Sequence, residues 1–305
     1  MKSLGLYLLA ATLFTFPLQA QFTKPAATST EDLINSVKER IDHRTQSLLN
    51  SYPIRNVGPV TMSGRVSDIA VHPDTSRIYY VGFGSAGIFK TTNGGTTMKP
   101  VFDNQGGAIG IGDIAISKSN PNILWAGTGE KNSSRSTYAG TGVYKTIDAG
   151  KTWTHMGLEG TQHIGRILVH PDNPDIVWVG SMGALYSGNA DRGIYKTEDG
   201  GQTWEKTLFV NQGTGVIDLI INPENPELLW AATWERSREA WNFFEGGEGS
   251  AVYHSNDGGS TWELASNGLP TGTTLGRIGL SISKDNPNRI YALIDNQDVR
   301  SVEST

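Results

Sequence analysis

The sequence predicts an all-β fold, a β-propeller of four-stranded antiparallel blades, on three observations. An octet of the form Ser/Thr-x-Asp/Asn-x-Gly-x-Thr-Trp/Met recurs at 91–98 ("TTNGGTTM"), 146–153 ("TIDAGKTW"), 197–204 ("TEDGGQTW") and 255–262 ("SNDGGSTW"). Each octet follows three short apolar segments, two of them flanking a polar turn, as in "RILVHPDNPDIVWVG" at 166–180 followed by "GIYKT" at 193–197. The unit repeats about every fifty residues, which is the period of a propeller blade.

The elements follow in order. Lys2 and the apolar run 4–18, ending in a small residue at Ala20, read as a signal peptide over 1–20, with the mature chain starting near Gln21. Residues 21–50 are expected to form a leader and a short helix. The helix is predicted from about Glu31 to Asn50, with Ile34, Val37, Ile41 and Leu48 on one face and Thr28 and Glu31 at capping-box spacing. The propeller is expected over 51–305, with blades at about 64–103, 104–160, 161–210 and 211–267. A fifth blade, 268–305, stops after its second strand, so the ring is expected to be part of a larger one. The extended "YPIRNVGPV" at 52–60 is a candidate for the strand that closes such a ring.

The octet is read as the turn between the third and outer strands. Glycine supplies positive φ, and the side chains of Asn93, Asp148, Asp199 and Asp257 accept hydrogen bonds from the turn backbone. Trp153, Trp204 and Trp262 then begin the outer strand and are expected to bury their rings between sheets, stapling turn to blade. Asn93 and Met98 replace Asp and Trp in the first copy, so that corner is expected to be the weaker one.

Composition narrows the function. A net charge of −5 with charged residues at 18% gives no basic footprint for nucleic acid. With no cysteine, disulfides, thiolate metal sites and a cysteine nucleophile are excluded. No zinc-protease, phosphate-loop or dinucleotide signature occurs, so neither a cofactor nor a metal is expected. No membrane span is expected in the mature chain, which the signal peptide directs outside the cell, to the periplasm or to the cell surface.

Function is expected on the rim opposite the octets. Long loops fall there at 127–140, 180–193 and 232–250, and three loops converging over a channel make that rim the default binding face. The richest loop carries Trp234, Arg236, Arg238, Trp241 and Phe243 beside Glu235 and Glu239. Rings beside carboxylates and guanidiniums suit a glycan or the end of a peptide; the same rings also suit packing of the loop onto the blade. Arg135, Tyr138 and Arg166 complete the candidate binding set. Glycoside hydrolysis needs two carboxylates about 5–10 Å apart, and Glu130, Asp191, Glu235 and Glu239 are the candidates, although spacing fixes no pair. An aligned position at the start of the first strands, Asp68, Asp113, Arg166, Asp218 and Gly279, reads either as a polar ring or as solvated channel wall.

The octets match the Asp-box, or BNR repeat, of sialidases, sortilin-type receptors, xyloglucanase-type hydrolases and photosystem assembly propellers. With the "HPDNPD" turns, the chain most resembles secreted bacterial sortilin-type propellers, over roughly residues 51–305. The resemblance implies a propeller scaffold that hosts unrelated activities. A sialidase would need three arginines, for which Arg65, Arg166 and Arg277 are available, but its Phe/Tyr-Arg-Ile-Pro element is missing. A xyloglucanase would place an acid after the first blade's second strand, where Gly84 and Ser85 stand here. The leading expectation is a binding scaffold for peptide, protein or glycan; the alternative is a glycoside hydrolase acting from the same loops.

Overall fold

The computed structural model describes residues 24–52, 64–103, 105, 107–134 and 136–298. The expected signal peptide, Arg135 and the candidate closing strand beyond Tyr52 lie outside the described residues.

The propeller reading holds. Blade one comprises β1 (Val66–Val71), β2 (Tyr79–Phe83), β3 (Gly87–Thr91) and β4 (Lys99–Pro100). Blade two comprises β5 (Ile111–Ile116), β6 (Leu124–Thr128), β7 (Val143–Thr146) and β8 (Thr154–His155). Blade three comprises β9 (Ile164–Val169), β10 (Val177–Ser181), β11 (Gly193–Thr197) and β12 (Glu205–Leu208). In blade four, β13 (Thr214–Ile221) and β14 (Leu229–Glu235) are followed by a small hairpin, β15 (Ser237–Arg238) and β16 (Phe243–Phe244). The blade then resumes with β17 (Val252–Ser255) and β18 (Glu263–Leu264). A last pair, β19 (Leu275–Ile282) with β20 (Ile290–Asn296), begins a fifth sheet. Every neighbouring pair is antiparallel in a simple meander.

The core lies between blades rather than within them. Tyr80, Ile88 and Phe102 of blade one pack on Ile111, Ile114 and Leu124 of blade two. Trp125 and Val143 meet Ile164 and Val177 in the next gap, Trp178 and Ile194 meet Leu219 and Leu229, and Ile217 and Val252 meet Ile278 and Leu280. Each fully buried aliphatic side chain such as Ile111 or Leu219 contributes about 2 kcal/mol, an upper figure. First strands of successive blades pack side by side along the axis. They approach so closely that a Cβ on Gly165 would stand 2.2 Å from the Val216 carbonyl oxygen, and one on Gly112 would stand 2.1 Å from that of Ile164.

The octet corners behave as the sequence implies. Asp148 accepts from the backbone N–H groups of Lys151 and Thr152, both at 2.9 Å, and from the hydroxyls of Thr146 and Thr152. Asp199 and Asp257 repeat the pattern. The first corner is better made than expected. Asn93 Oδ1 takes the Thr97 N–H at 2.9 Å and its amide donates to the Thr97 hydroxyl, so what Asn93 loses is charge.

The indoles do more than anchor their own strands. Trp153 Nε1 donates to Val101 O and Trp204 Nε1 to Met156 O, each near the outer strand of the preceding blade. A second latch runs the other way. Lys90 Nζ and Tyr80 OH both donate to Ala149 O in the next blade's corner, at 2.9 and 3.0 Å. Lys145 Nζ donates to Gly200 O and Trp178 Nε1 to Gly258 O. The repeated Tyr/Phe-Lys-Thr of the third strand thereby gains a physical reason.

The leader differs in detail. The helix α1 spans Thr30–Gln46, capped by Ser29, whose hydroxyl oxygen accepts from Asp32 N at 3.1 Å in place of the expected Thr28–Glu31 pair. A 3₁₀ turn, Leu48–Ser51, follows, because Ser47 leaves helical dihedrals and caps that turn instead. Leu48 is therefore off the expected face and exposed. Ile34, Val37 and Ile41 do share a face, turned toward Tyr144 and His155 of blade two, and Arg40 donates to Gly107 O.

Candidate functional site

The first strands carry a chain of charges that the sequence reading left open. Each first and second strand pair has an irregular register next to the aligned position, at Val66/Asp68, Ile111/Asp113 and Val216/Asp218. Asp68 Oδ2 accepts from Ile114 N, Asp113 Oδ2 from Ile167 N and Asp218 Oδ2 from Leu280 N, each N–H belonging to the next blade. These aspartates are clips between blades rather than free channel wall. Arg166 bridges two of them, 3.4 Å from Asp113 and 3.4 Å from Asp218, and Lys131 Nζ sits 2.8 Å from Asp113. The Asp113 charge first, joined by Asp218, holds the Arg166 guanidinium above its ordinary pKa against burial, which acts to lower it. Asp68 is pushed up, first by burial and then by the Asp113 charge.

The insertion rim places the four candidate carboxylates against separate partners. Glu130 is fully buried and clamped by both arms of Arg65, with further hydrogen bonds from Thr137 at 2.7 Å and Asn132 at 2.9 Å. Burial acts to raise its pKa, but the bonds from Arg65, Thr137 and Asn132 outweigh it and hold the carboxyl below its ordinary value. Asp191 accepts from Asn189 Nδ2 at 3.3 Å. Glu235 Oε2 accepts from Gly249 N at 2.7 Å, and Glu239 pairs with Lys24 Nζ at 3.4 Å.

The aromatic loop divides into buried and exposed parts. Trp234 is buried, its indole N–H donating to Glu245 O, with Phe243 edge-on at 6.1 Å. Arg238 lies 4.7 Å over the Phe243 ring, while Trp241 and Tyr138 face solvent. The segment 24–28 crosses this same rim. Lys24 also donates to the Ser237 hydroxyl, and Ser187 donates to Pro25 O at 2.5 Å. Pro25 to Thr28 form one wall of a cavity of about 300 Å³ whose other walls include Gln162, His163 and Tyr186.

Beneath the rim lies a group of cations. Arg192 is buried, giving Nη1 to Gly213 O and Nη2 to Ala184 O and Ser187 O. Arg236 is buried beside it, its backbone N–H also on Gly213 O. Arg236 and Arg277 lie 5.9 and 5.6 Å from the Trp234 ring centre. His163 is buried with them and held well below its ordinary pKa, by burial first and then by Arg236 and Arg192. Arg192 was not among the candidate ligand groups, and Glu130's partner Arg65 was named only for a sialidase-type site. The only sequence signal of Arg192 is an arginine at the rim end of a strand, which many surface arginines share.

The model of the family described as Sortilin-Vps10 (sortilin, neurotensin receptor 3) matches residues 141–300, more than half of the chain. The chain belongs to the Sortilin-Vps10 family. This Sortilin-Vps10 chain is also 33% identical over 138 residues to a xyloglucanase of Hypocrea jecorina, covering 44% of the chain and 14% of that protein. It is 23% identical over 254 residues to an oligoxyloglucan-reducing end-specific xyloglucanase of Emericella nidulans, covering 78% of the chain and 27% of that protein. The chain thus spans between a seventh and about a quarter of these relatives' length. Among solved structures, a GH74 xyloglucanase from Xanthomonas campestris superposes with a TM-score of 0.55 at 15% identity, over 73% of this chain and 33% of that one. That likeness shows the propeller fold.

In this Sortilin-Vps10 chain Glu130 is the most heavily bonded of the four candidate carboxylates. A general acid needs a carboxyl that keeps its proton near neutral pH, and Glu130 is driven the opposite way. A Cβ on Gly84 would stand 3.1 Å from Glu130 Cγ, so the space beside the position where an acid was sought is filled by Glu130 itself.

Proposed function

We propose that this chain is an extracytoplasmic propeller that binds a glycan through the 127–140, 180–193 and 232–250 loops. The observation that carries this reading is the commitment of all four candidate carboxylates to partners within the protein, Glu130 most of all. Exposed Trp241 and Tyr138, with Arg238 stacked on Phe243, supply the ring faces and donors that sugars use. The xyloglucanase relatives favour a glycan over a peptide as the ligand. The test is titration of the protein with neutral and acidic plant and bacterial oligosaccharides, alongside assay of new reducing ends. Binding without release of reducing ends supports the reading.

The same relatives motivate a second reading, hydrolysis by Glu235 and Glu239, the two candidate carboxylates carried by one loop. Release of reducing ends that falls about 100-fold or more in both Glu235→Gln and Glu239→Gln would establish it.

A further inference from the structure

The cavity of about 300 Å³ under residues 25–28 is walled largely by short side chains, Ala26, Ala27, Ala139 and Ala184 among them, and no carboxylate, lysine or arginine lines it. Gln162 and His163 complete the wall. Gln162 is 7% exposed and His163 1%, and both Gln162 Nε2 and His163 Nδ1 lack a hydrogen-bond partner among the described residues. A buried polar atom left unpaired bears the full cost of its desolvation, so each of these two asks for a partner from outside the fold.

The wall is held firmly in place. Gln162 O accepts from Gly140 N and His163 O from Met182 N, so both backbones are fixed. Gln162 keeps φ at 52° and ψ at −36°, a setting a non-glycine residue holds only where its surroundings impose it. The hydroxyls on the wall are already engaged, Thr137 donating to Glu130 and Ser187 to Pro25 O. Burial first, then Arg236 and Arg192, keeps His163 uncharged, so its ring offers one N–H and one lone pair.

A neutral amide bearing a methyl group matches this wall group by group. Its carbonyl oxygen accepts from Gln162 Nε2, its N–H donates to the imidazole lone pair, and its methyl lies against the alanines. A hydroxyl alone would leave the alanine walls without contact. We propose that this cavity is a binding site for an acetamido group and, resting on the glycan reading above, that the group belongs to an N-acetylhexosamine. The size is at the lower end of the range for small-molecule sites. Tyr186, exposed on the same cavity, offers a ring face for the sugar itself.

The experiment titrates the full chain with N-acetylglucosamine, with glucose and with N-acetylglycine methylamide while thermal unfolding is followed. N-acetylglucosamine is expected to raise the Tm, and glucose, which has a hydroxyl in place of the acetamido group, to bind about ten-fold more weakly or not at all. Gln162→Glu, which replaces the amide donor with an acceptor, and His163→Phe, which removes both ring nitrogens, should each weaken binding about ten-fold or more. Both positions are buried, so Ala139→Leu, which fills the cavity from an exposed position, is tested beside them. It should unfold as the parent does without ligand and lose the shift. If the methylamide alone shifts the Tm in a Gln162-dependent way, the amide site stands and the glycan reading falls. If glucose binds as well as N-acetylglucosamine, if neither amide shifts the Tm, or if the shift survives in Ala139→Leu and Gln162→Glu, the site is overturned.

Discussion

The indole N–H of Trp204 donates to the backbone carbonyl of Met156 at 2.7 Å, joining the corner of blade three to the outer edge of blade two. The ring also meets Trp125 edge-on at 5.9 Å. An aromatic that opens one strand is therefore a strut between two blades, and blades are held in register from outside as well as along the axis. Trp204→Phe keeps most of the packing and loses the hydrogen bond, which is expected to cost about 1–2 kcal/mol. Trp204→Ala loses both, about 3–4 kcal/mol. Urea unfolding of the two variants separates the contributions.

The corner aspartates make stability depend on acid. The Thr152 hydroxyl, with the backbone and Thr146, pulls Asp148 down to about 2, and the Thr261 hydroxyl leads the set that pulls Asp257 down to about 2. Asp199 is lowered in the same direction, chiefly by Thr203. A folded pKa below the unfolded value of about 3.9 means the stabilisation is complete above pH 4 and is lost as pH falls toward 2. Asn93 has no such charge and already serves in blade one. Asp148→Asn should therefore keep the fold at pH 7 and flatten the acid limb of the Tm-versus-pH curve; an unchanged limb would refute the assignment.

Gly165 stands where two first strands nearly touch. Gly165→Ala would bring its Cβ to within 2.2 Å of Val216 O and 2.9 Å of Ile217 Cα, and backbone on both sides has little room to move. A loss of about 3 kcal/mol or more is expected, against about 0.5 kcal/mol for Gly279, an exposed glycine with nothing within 4 Å of an added Cβ. Thermal unfolding of Gly165→Ala beside a Gly279→Ala control decides it.

Asp113 is the hub of the inter-blade charges, touching Lys131, Arg166 and the Ile167 N–H at once. Asp113→Asn removes the charge that balances Lys131, whose side chain is nearly buried. Breaking one half of a buried pair costs about 3–5 kcal/mol. Reversal in Asp113→Asn/Lys131→Met would show that the cost comes from the stranded ammonium, since the double variant leaves none; no reversal would assign it to Arg166, which loses the same carboxylate.

The repeat was legible because a blade is a local object. Its turn chemistry, its alternating apolar segments and its period are all written within about fifty consecutive residues. Of what joins one blade to another, only the indoles between sheets were legible; the charged clips and the lysine latches were not. The Ser29 cap and the 3₁₀ turn after Gln46 depend on single backbone choices among near-equivalent residues. Arg192 and Arg236 carry no spacing signal, and only the coordinates bring them together beneath the rim.

Local hydrogen bonding and hydrophobic periodicity in the chain settle the all-β class, the four-stranded meander and the Asp-box corner, since each closes within one repeat. Tertiary structure alone decides that Asp113 clips blade three, that Glu130 is spent on Arg65, and that Arg236 is buried without a partner among the described residues. Those outcomes follow from contacts between residues far apart in sequence. Their energies come from desolvation and charge, which depend on what surrounds a group in space and not on what precedes it in the chain.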